Sequence, residues 1–186
     1  PPCETLCLNL PGHGGAPFSP TFTLPPNLPY PIHLIGYSMG GRLSLQWAAR
    51  HPHLVASLTL LSTHPGLTSE EARRKKWEED SLWAHRLRSL PIDEFLKAWY
   101  DQPLFCPPHP MRTIEDRESM ARALLHYSGS KLPVATFAGA YSAVGERDLI
   151  YRELLPEATV IPGGGHAIHL QNPKGVAEFL RERIFR

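Results

Sequence analysis

Long apolar runs are absent from this chain. None approaches the roughly 20 residues that a bilayer-spanning helix needs, and no signal-peptide pattern opens the sequence, so neither a membrane partner nor export is expected. Charge of one sign is also missing: the formal net charge is +1, which leaves no global field to recruit nucleic acid or anionic lipid. Cysteine is sparse. Cys3, Cys7 and Cys106 match neither a zinc-ligand spacing nor a paired disulfide framework, which points to a reducing, cytoplasmic setting and to no metal. There is no internal repeat. What remains is the composition of a globular domain, 42% hydrophobic and 20% charged, in a chain of 186 residues that suits a single hydrophobic core.

Proline is the one residue in excess, at 20, about twice its usual share. Six of them (Pro17, Pro20, Pro25, Pro26, Pro29, Pro31) fall between positions 16 and 31, a density at which no useful helix survives. Around that segment the pattern alternates. "TLCLNL" (5–10), "IHLIGY" (32–37), "VASLTLLS" (55–62), "VATFAGAYSAV" (134–144) and "ATVIP" (158–162) read as buried strands. Residues 39–50, with Leu43, Leu45, Trp47, Ala48 and Ala49, read as a helix packed on the sheet, and 173–185 as a closing amphipathic helix. Strands alternating with helices imply a parallel sheet. The stretch 64–131, rich in charge and tryptophan, is helical in pattern. It divides the chain into a core (1–63 and 132–186) and an inserted helical cap.

Between the second strand and its helix stands Gly36-Tyr37-Ser38-Met39-Gly40, which fits G-x-S-x-G in the strand–turn–helix setting that the motif requires. Small residues two before and two after the serine let strand and helix approach, leaving the hydroxyl exposed above a helix N-terminus that favours negative charge. A nucleophilic serine needs a base, and the base an acid to orient it, in the chain order Ser, Asp or Glu, His. "VGERD" (144–148) offers Glu146 and Asp148. Asp148 lies later on the loop and is the expected acid, while Glu146 is read as structural. "PGGGHAIH" (162–169) offers His166 as base on a glycine loop at the sheet's carboxyl edge, with His169 read as a packing or pocket-rim residue.

These elements together resemble α/β-hydrolase-fold proteins, and more narrowly the 2-succinyl-6-hydroxy-2,4-cyclohexadiene-1-carboxylate (SHCHC) synthase family of menaquinone biosynthesis. The resemblance is carried by "LPGHG" (10–14), "GYSMGGRLSL" (36–45), "THPGL" (63–67), "FLKAWYDQPLF" (95–105), "GERD" (145–148) and "GGHAIHLQNP" (164–173). It implies a mostly parallel sheet flanked by helices with a helical cap, and a carbon–oxygen lyase that eliminates pyruvate from 2-succinyl-5-enolpyruvyl-6-hydroxy-3-cyclohexene-1-carboxylate. It implies no cofactor, and a triad serine that acts as a base on carbon. The partner is a small polycarboxylate, so cations are expected in the pocket. Arg42, one turn beyond Ser38, is the first, since a guanidinium forks onto a carboxylate. Tyr37 and Trp99 match further pocket positions, Lys76 stands where the family carries an arginine, with Arg73 one turn before, and Arg112 matches a later cap arginine. Met39 N–H is the expected oxyanion donor.

Two departures from that family set the alternatives. The resemblance places a strand and an HG-type loop, bearing the other oxyanion donor, ahead of "LPGHG", so the first strands are expected to be missing here. The proline segment replaces the helix that joins the next two strands, and "CPPHP" (106–110) shortens the cap. A catalytically silent hydrolase-fold fragment, or a serine esterase or C–C hydrolase, are therefore the competing expectations.

Overall fold

The computed structural model describes residues 4–105, 107 and 114–184. Four strands, β1 (Ile32–Tyr37), β2 (Val55–Leu61), β3 (Tyr141–Gly145) and β4 (Thr159–Ile161), form one sheet in the order β1-β2-β3-β4, and every pairing is parallel. α1 (Ser38–Arg50) joins β1 to β2. Between β2 and β3 stand α2 (Glu70–Ser89), α3 (Ile92–Tyr100) and α4 (Arg117–His126). α5 (Leu149–Leu154) connects β3 to β4, and α6 (Ile168–Gln171) with α7 (Pro173–Ile184) closes the chain. Among the described residues no helix is long and apolar enough to cross a membrane.

Helices cover the central strands on both faces, whereas the outer strands stay partly open, with Ile35 of β1 at 43% and Val160 of β4 at 42% exposure. On one face Leu43, Leu45, Trp47 and Ala48 of α1 pack on Val55, Leu58 and Leu60 of β2. On the other, Val176 and Phe179 of α7 and Ile168 of α6 cover Leu61, Ala143 and Ile161. A third cluster (Trp83, Ala84, Leu87, Phe95, Ala121) holds the inserted helices to one another. Each large apolar side chain so buried contributes about 1.5–3 kcal/mol.

The inserted helices start where their caps stand. Ser69 Oγ accepts the Ala72 N–H at 3.0 Å to open α2, and Asp116 Oδ1 accepts the Ser119 N–H at 2.9 Å to open α4. α2 ends before Pro91, which cannot continue it. The proline segment is not helical, and it lies down as a cover. Phe22 and Leu24 enter the α1 core, Tyr127 Oη donates to the Ser19 carbonyl at 2.7 Å, and Phe18 N–H donates to Ser119 Oγ at 3.3 Å.

Two strand expectations are corrected. Residues 5–10 form no strand: they run exposed, with Leu6 at 57% and Leu8 at 39% exposure. A strand exists only as a hydrogen-bonded ladder, and no strand among the described residues pairs with this segment or with the outer edge of β1. Residues 134–140 are likewise outside the ladder, and β3 begins only at Tyr141. Its register starts at Thr59↔Tyr141, and before that point the chain follows the loop after β2, with Ala135 N–H donating to the Pro65 carbonyl at 3.0 Å.

Candidate active site

Each strand ends by delivering one reactive side chain to the same carboxyl edge of the sheet: Ser38 after β1, His64 after β2, Asp148 after β3 and His166 after β4. Parallel ladders put all four strand ends on one side, where open α/β sheets hold their sites.

Ser38 is forced into the left-handed region, at φ 49°, a strain of roughly 1–3 kcal/mol that its neighbours hold in place. The sharp turn brings α1 down on β1 so closely that a Cβ on Gly36 would lie 2.5 Å from Gly41 Cα. A Cβ on Gly41 would lie 1.9 Å from Thr63 Oγ1, which itself donates to the Ser38 and Leu61 carbonyls at 3.3 and 3.0 Å. Gly40 is a correction to the motif argument: its Cβ would meet only the Leu10 side chain, at 3.5 Å. The second close approach that the elbow needs is made three residues after the serine rather than two.

Asp148 is buried at 4% exposure and divides its two oxygens between two tasks. Oδ1 caps α5 by accepting the Tyr151 N–H at 3.2 Å, and Oδ2 lies 2.8 Å from His166 Nδ1. The carboxylate accepts only, so Nδ1 carries the imidazole proton and Nε2 is left as the acceptor. Ser38 Oγ lies 2.9 Å from that Nε2, in line to donate to it. His166 is 2% exposed and is enclosed by the rings of Tyr151 (4.6 Å between centroids), Tyr37 (5.4 Å) and Phe105 (6.0 Å). Glu146 does not reach the histidine. It is exposed and accepts the Gly163 N–H at 2.8 Å, tying the acid-bearing loop to the loop that carries His166. His169 sits on α6 with its ring 4.4 Å from Tyr37.

Met39 occupies the first turn of α1, where backbone N–H groups have no intrahelical acceptor. Arg42 Nη2 donates to the Tyr127 carbonyl at 3.3 Å, while its buried Nε has no partner among the described residues. Lys76 is less free than the sequence suggests. Its ammonium lies 3.0 Å from both Glu79 and the buried Asp80. Burial works against its charge, but the two carboxylates outweigh it and hold its pKa above the ordinary lysine value. Arg73 braces α2, donating to the Leu67 carbonyl at 2.7 Å and the Ser130 carbonyl at 3.4 Å. Trp99 lies in an aromatic file with Trp83 (5.1 Å), Phe95 (5.9 Å) and Phe105 (5.8 Å), and Phe105 makes the ring contact with His166. Arg112 lies outside the described residues, as do Cys3 and Cys106.

Sequence reasoning passed over three residues at this edge. Phe105 ends a quoted motif, and His64 stands inside another, but nothing in a linear string says which histidine of ten faces the site. Tyr151 follows Asp148 by three positions, which places it back over the acid only once α5 has formed. His64 is 5% exposed, and burial first, then Arg42, lowers its pKa from 6.5 to about 4.

A parallel sheet with this elbow and relay at its carboxyl edge defines a protein of the α/β-hydrolase fold, and the family described as "alpha/beta hydrolase fold" matches residues 29–113. More narrowly, the chain belongs to the SHCHC synthase family. It is 30% identical, over 97% of its length and 83% of the relative's, to the 2-succinyl-6-hydroxy-2,4-cyclohexadiene-1-carboxylate synthase of Salmonella newport, and 29% identical over the same shares to that of Salmonella enteritidis. The solved structure of MenH from S. aureus superposes with a TM-score of 0.69 at 24% identity, over 82% of this chain and 68% of that one. An esterase from Thermogutta terrifontis, malate bound, superposes at 0.61 with 23% identity, over 82% and 64%. At those identities the two structures speak for the fold alone.

Proposed function

We propose that the chain serves menaquinone biosynthesis as a lyase, eliminating pyruvate from 2-succinyl-5-enolpyruvyl-6-hydroxy-3-cyclohexene-1-carboxylate to give SHCHC. The observation that carries the reading is the Ser38–His166–Asp148 relay, with contacts of 2.9 and 2.8 Å, in a member of the SHCHC synthase family. The two compounds differ by loss of the 5-enolpyruvyl group and by a 3-ene becoming a 2,4-diene. The proton therefore leaves C2, beside the succinyl ketone, and the C5–O bond breaks. Ser38 Oγ, made basic by His166 Nε2, takes the C2 proton. The electron pair passes briefly onto the ketone oxygen, where the Met39 N–H receives the negative charge. It then returns through the ring to form the diene as the C5–O bond breaks and the enolate of pyruvate departs, and that enolate takes up a proton at carbon to become pyruvate. Asp148 keeps the imidazole in the tautomer that this transfer requires.

In this reading the inserted helices serve as the cap, Tyr37 and Trp99 with Phe105 form its apolar wall, and Arg42 meets a carboxylate. Lys76 is proposed as a further cation at the pocket, with its ammonium already engaged by Glu79 and Asp80. Arg112 is proposed for a second carboxylate. A serine esterase is the second reading, because the same relay would serve acyl transfer equally well. Pyruvate release from the precursor by the wild type and by Ser38→Ala tests the first. Release should fall by several orders of magnitude in the variant while the fold is kept, because relay members act as a unit. Equal rates would remove Ser38 from the mechanism.

A further inference from the structure

The relay leaves one buried titratable group at the same sheet edge without a task. His64 follows β2 directly, and its Nδ1 accepts the Gly66 N–H at 3.2 Å. A nitrogen that accepts carries no proton, so the neutral ring bears its hydrogen on Nε2. That Nε2–H has no acceptor among the described residues. The ring is held in place on two sides. Tyr151 stands between it and the relay, 5.9 Å from His64 and 4.6 Å from His166 by ring centroid. On the other side a Cβ on Gly129 would lie 3.0 Å from His64 Cε1 and 3.2 Å from Nε2, so the imidazole rests against the 127–129 turn.

Arg42 reaches the same turn from α1, through its bond to the Tyr127 carbonyl, and its Nε is the second unsatisfied donor there. Arg42 is also the strongest charge acting on His64, ahead of Lys76 and His166. A buried donor without an acceptor, as Arg42 Nε is among the described residues, costs about 1–3 kcal/mol. His64 Nε2–H adds a second donor without an acceptor among the described residues at the same turn, and an anion with more than one oxygen could engage the two together. A cation in place of the neutral imidazole would be repelled by Arg42 and Lys76. A neutral ring adds direction to the site without adding charge.

We propose that His64 is a substrate-binding residue, donating its Nε2–H to a carboxylate whose charge is matched by Arg42. The inference deepens the functional reading above and rests on it for the identity of the substrate, a small polycarboxylate. His64 thereby sets specificity: a ligand that presents only an uncharged, apolar group at this turn leaves both donors unsatisfied.

Two substitutions separate the two ends of the ring. His64→Asn keeps an acceptor where Nδ1 stood, preserving the Gly66 bond, and removes the donor at Nε2. His64→Gln supplies an amide N–H close to the place of Nε2. Succinate, as a bare dicarboxylate probe, is titrated by calorimetry into the wild type and both variants, and KM and kcat are measured for pyruvate release. His64→Asn should raise the succinate Kd and the KM by about 10- to 100-fold, as loss of a hydrogen bond to a charged group does, and change kcat by less than about threefold. His64→Gln should recover binding to within about threefold of the wild type. Unchanged binding in His64→Asn, a His64→Gln variant as weak as His64→Asn, or a wild type that does not bind succinate would each overturn the assignment. A wild type that binds succinate through His64 yet releases no pyruvate would overturn the lyase reading and leave His64 standing.

Discussion

Acidification should destabilise this protein through a single buried ring. His64 titrates at about 4 in the folded chain against 6.5 for an ordinary histidine. Burial is the first cause and the neighbouring Arg42 the second. Below pH 6.5 the unfolded chain therefore binds a proton that the native state refuses, and stability falls by about 1.4 kcal/mol for each further pH unit. The loss ends near pH 4, where the native ring protonates as well. Between pH 7 and pH 4.5 it amounts to about 2 kcal/mol, a large fraction of the 5–15 kcal/mol typical of a domain. Urea unfolding at the two pH values, on the wild type and on His64→Asn, isolates this contribution because all other titrations are common to both. With a urea slope of about 2 kcal/mol/M, the wild-type midpoint should fall by about 1 M more than that of the variant. Equal falls in the two proteins would mean that His64 is not held neutral by its surroundings, and the electrostatic account of the site would fail with it.

The elbow makes a sharper test of sterics. Gly41→Ala drives a methyl to 1.9 Å from Thr63 Oγ1 and should cost about 1–3 kcal/mol with a matching drop in thermal midpoint, whereas Gly40→Ala, 3.5 Å from a leucine side chain, should be tolerated. The reverse ranking would refute the packing described. Arg42→Ala should lower kcat/KM for the carboxylated precursor roughly 10- to 150-fold more than for a neutral ester, and similar losses on both would make Arg42 a structural brace. Asp148→Asn should lower turnover on the order of 10⁴-fold by releasing the wrong imidazole tautomer, a far larger loss than that caused by Glu146→Gln, whose carboxylate ties two loops. Pyruvate release measured for the two variants decides between the carboxylates.

Much of the core was legible in the string. β1, α1, β2 and β4 stand within a residue or two of where apolar runs and breakers put them, because strands of a parallel sheet are rich in apolar residues even where an outer strand leaves Ile35 or Val160 open, and a helix on a sheet must carry a stripe. The order of Ser38, Asp148 and His166 along the chain was readable for a related reason: a parallel sheet presents successive strand ends on one edge, so residues after strands meet. What the string could not carry was pairing. "TLCLNL" has the composition of a strand and none of the ladder, and residues 134–140 have the apolar content of β3 but lie before its first partner, Thr59. Burial and charge environment also waited for tertiary contacts. Lys76 looked like a free cation until Asp80 and Glu79 were found beside it, and His64 was one histidine among ten. Local pattern specifies which face of an element is apolar, because that depends on residues three or four apart. Which polar atom ends without a partner at the site depends on side chains that are distant in sequence and meet only when the sheet has closed, as Arg42 meets the carbonyl of Tyr127.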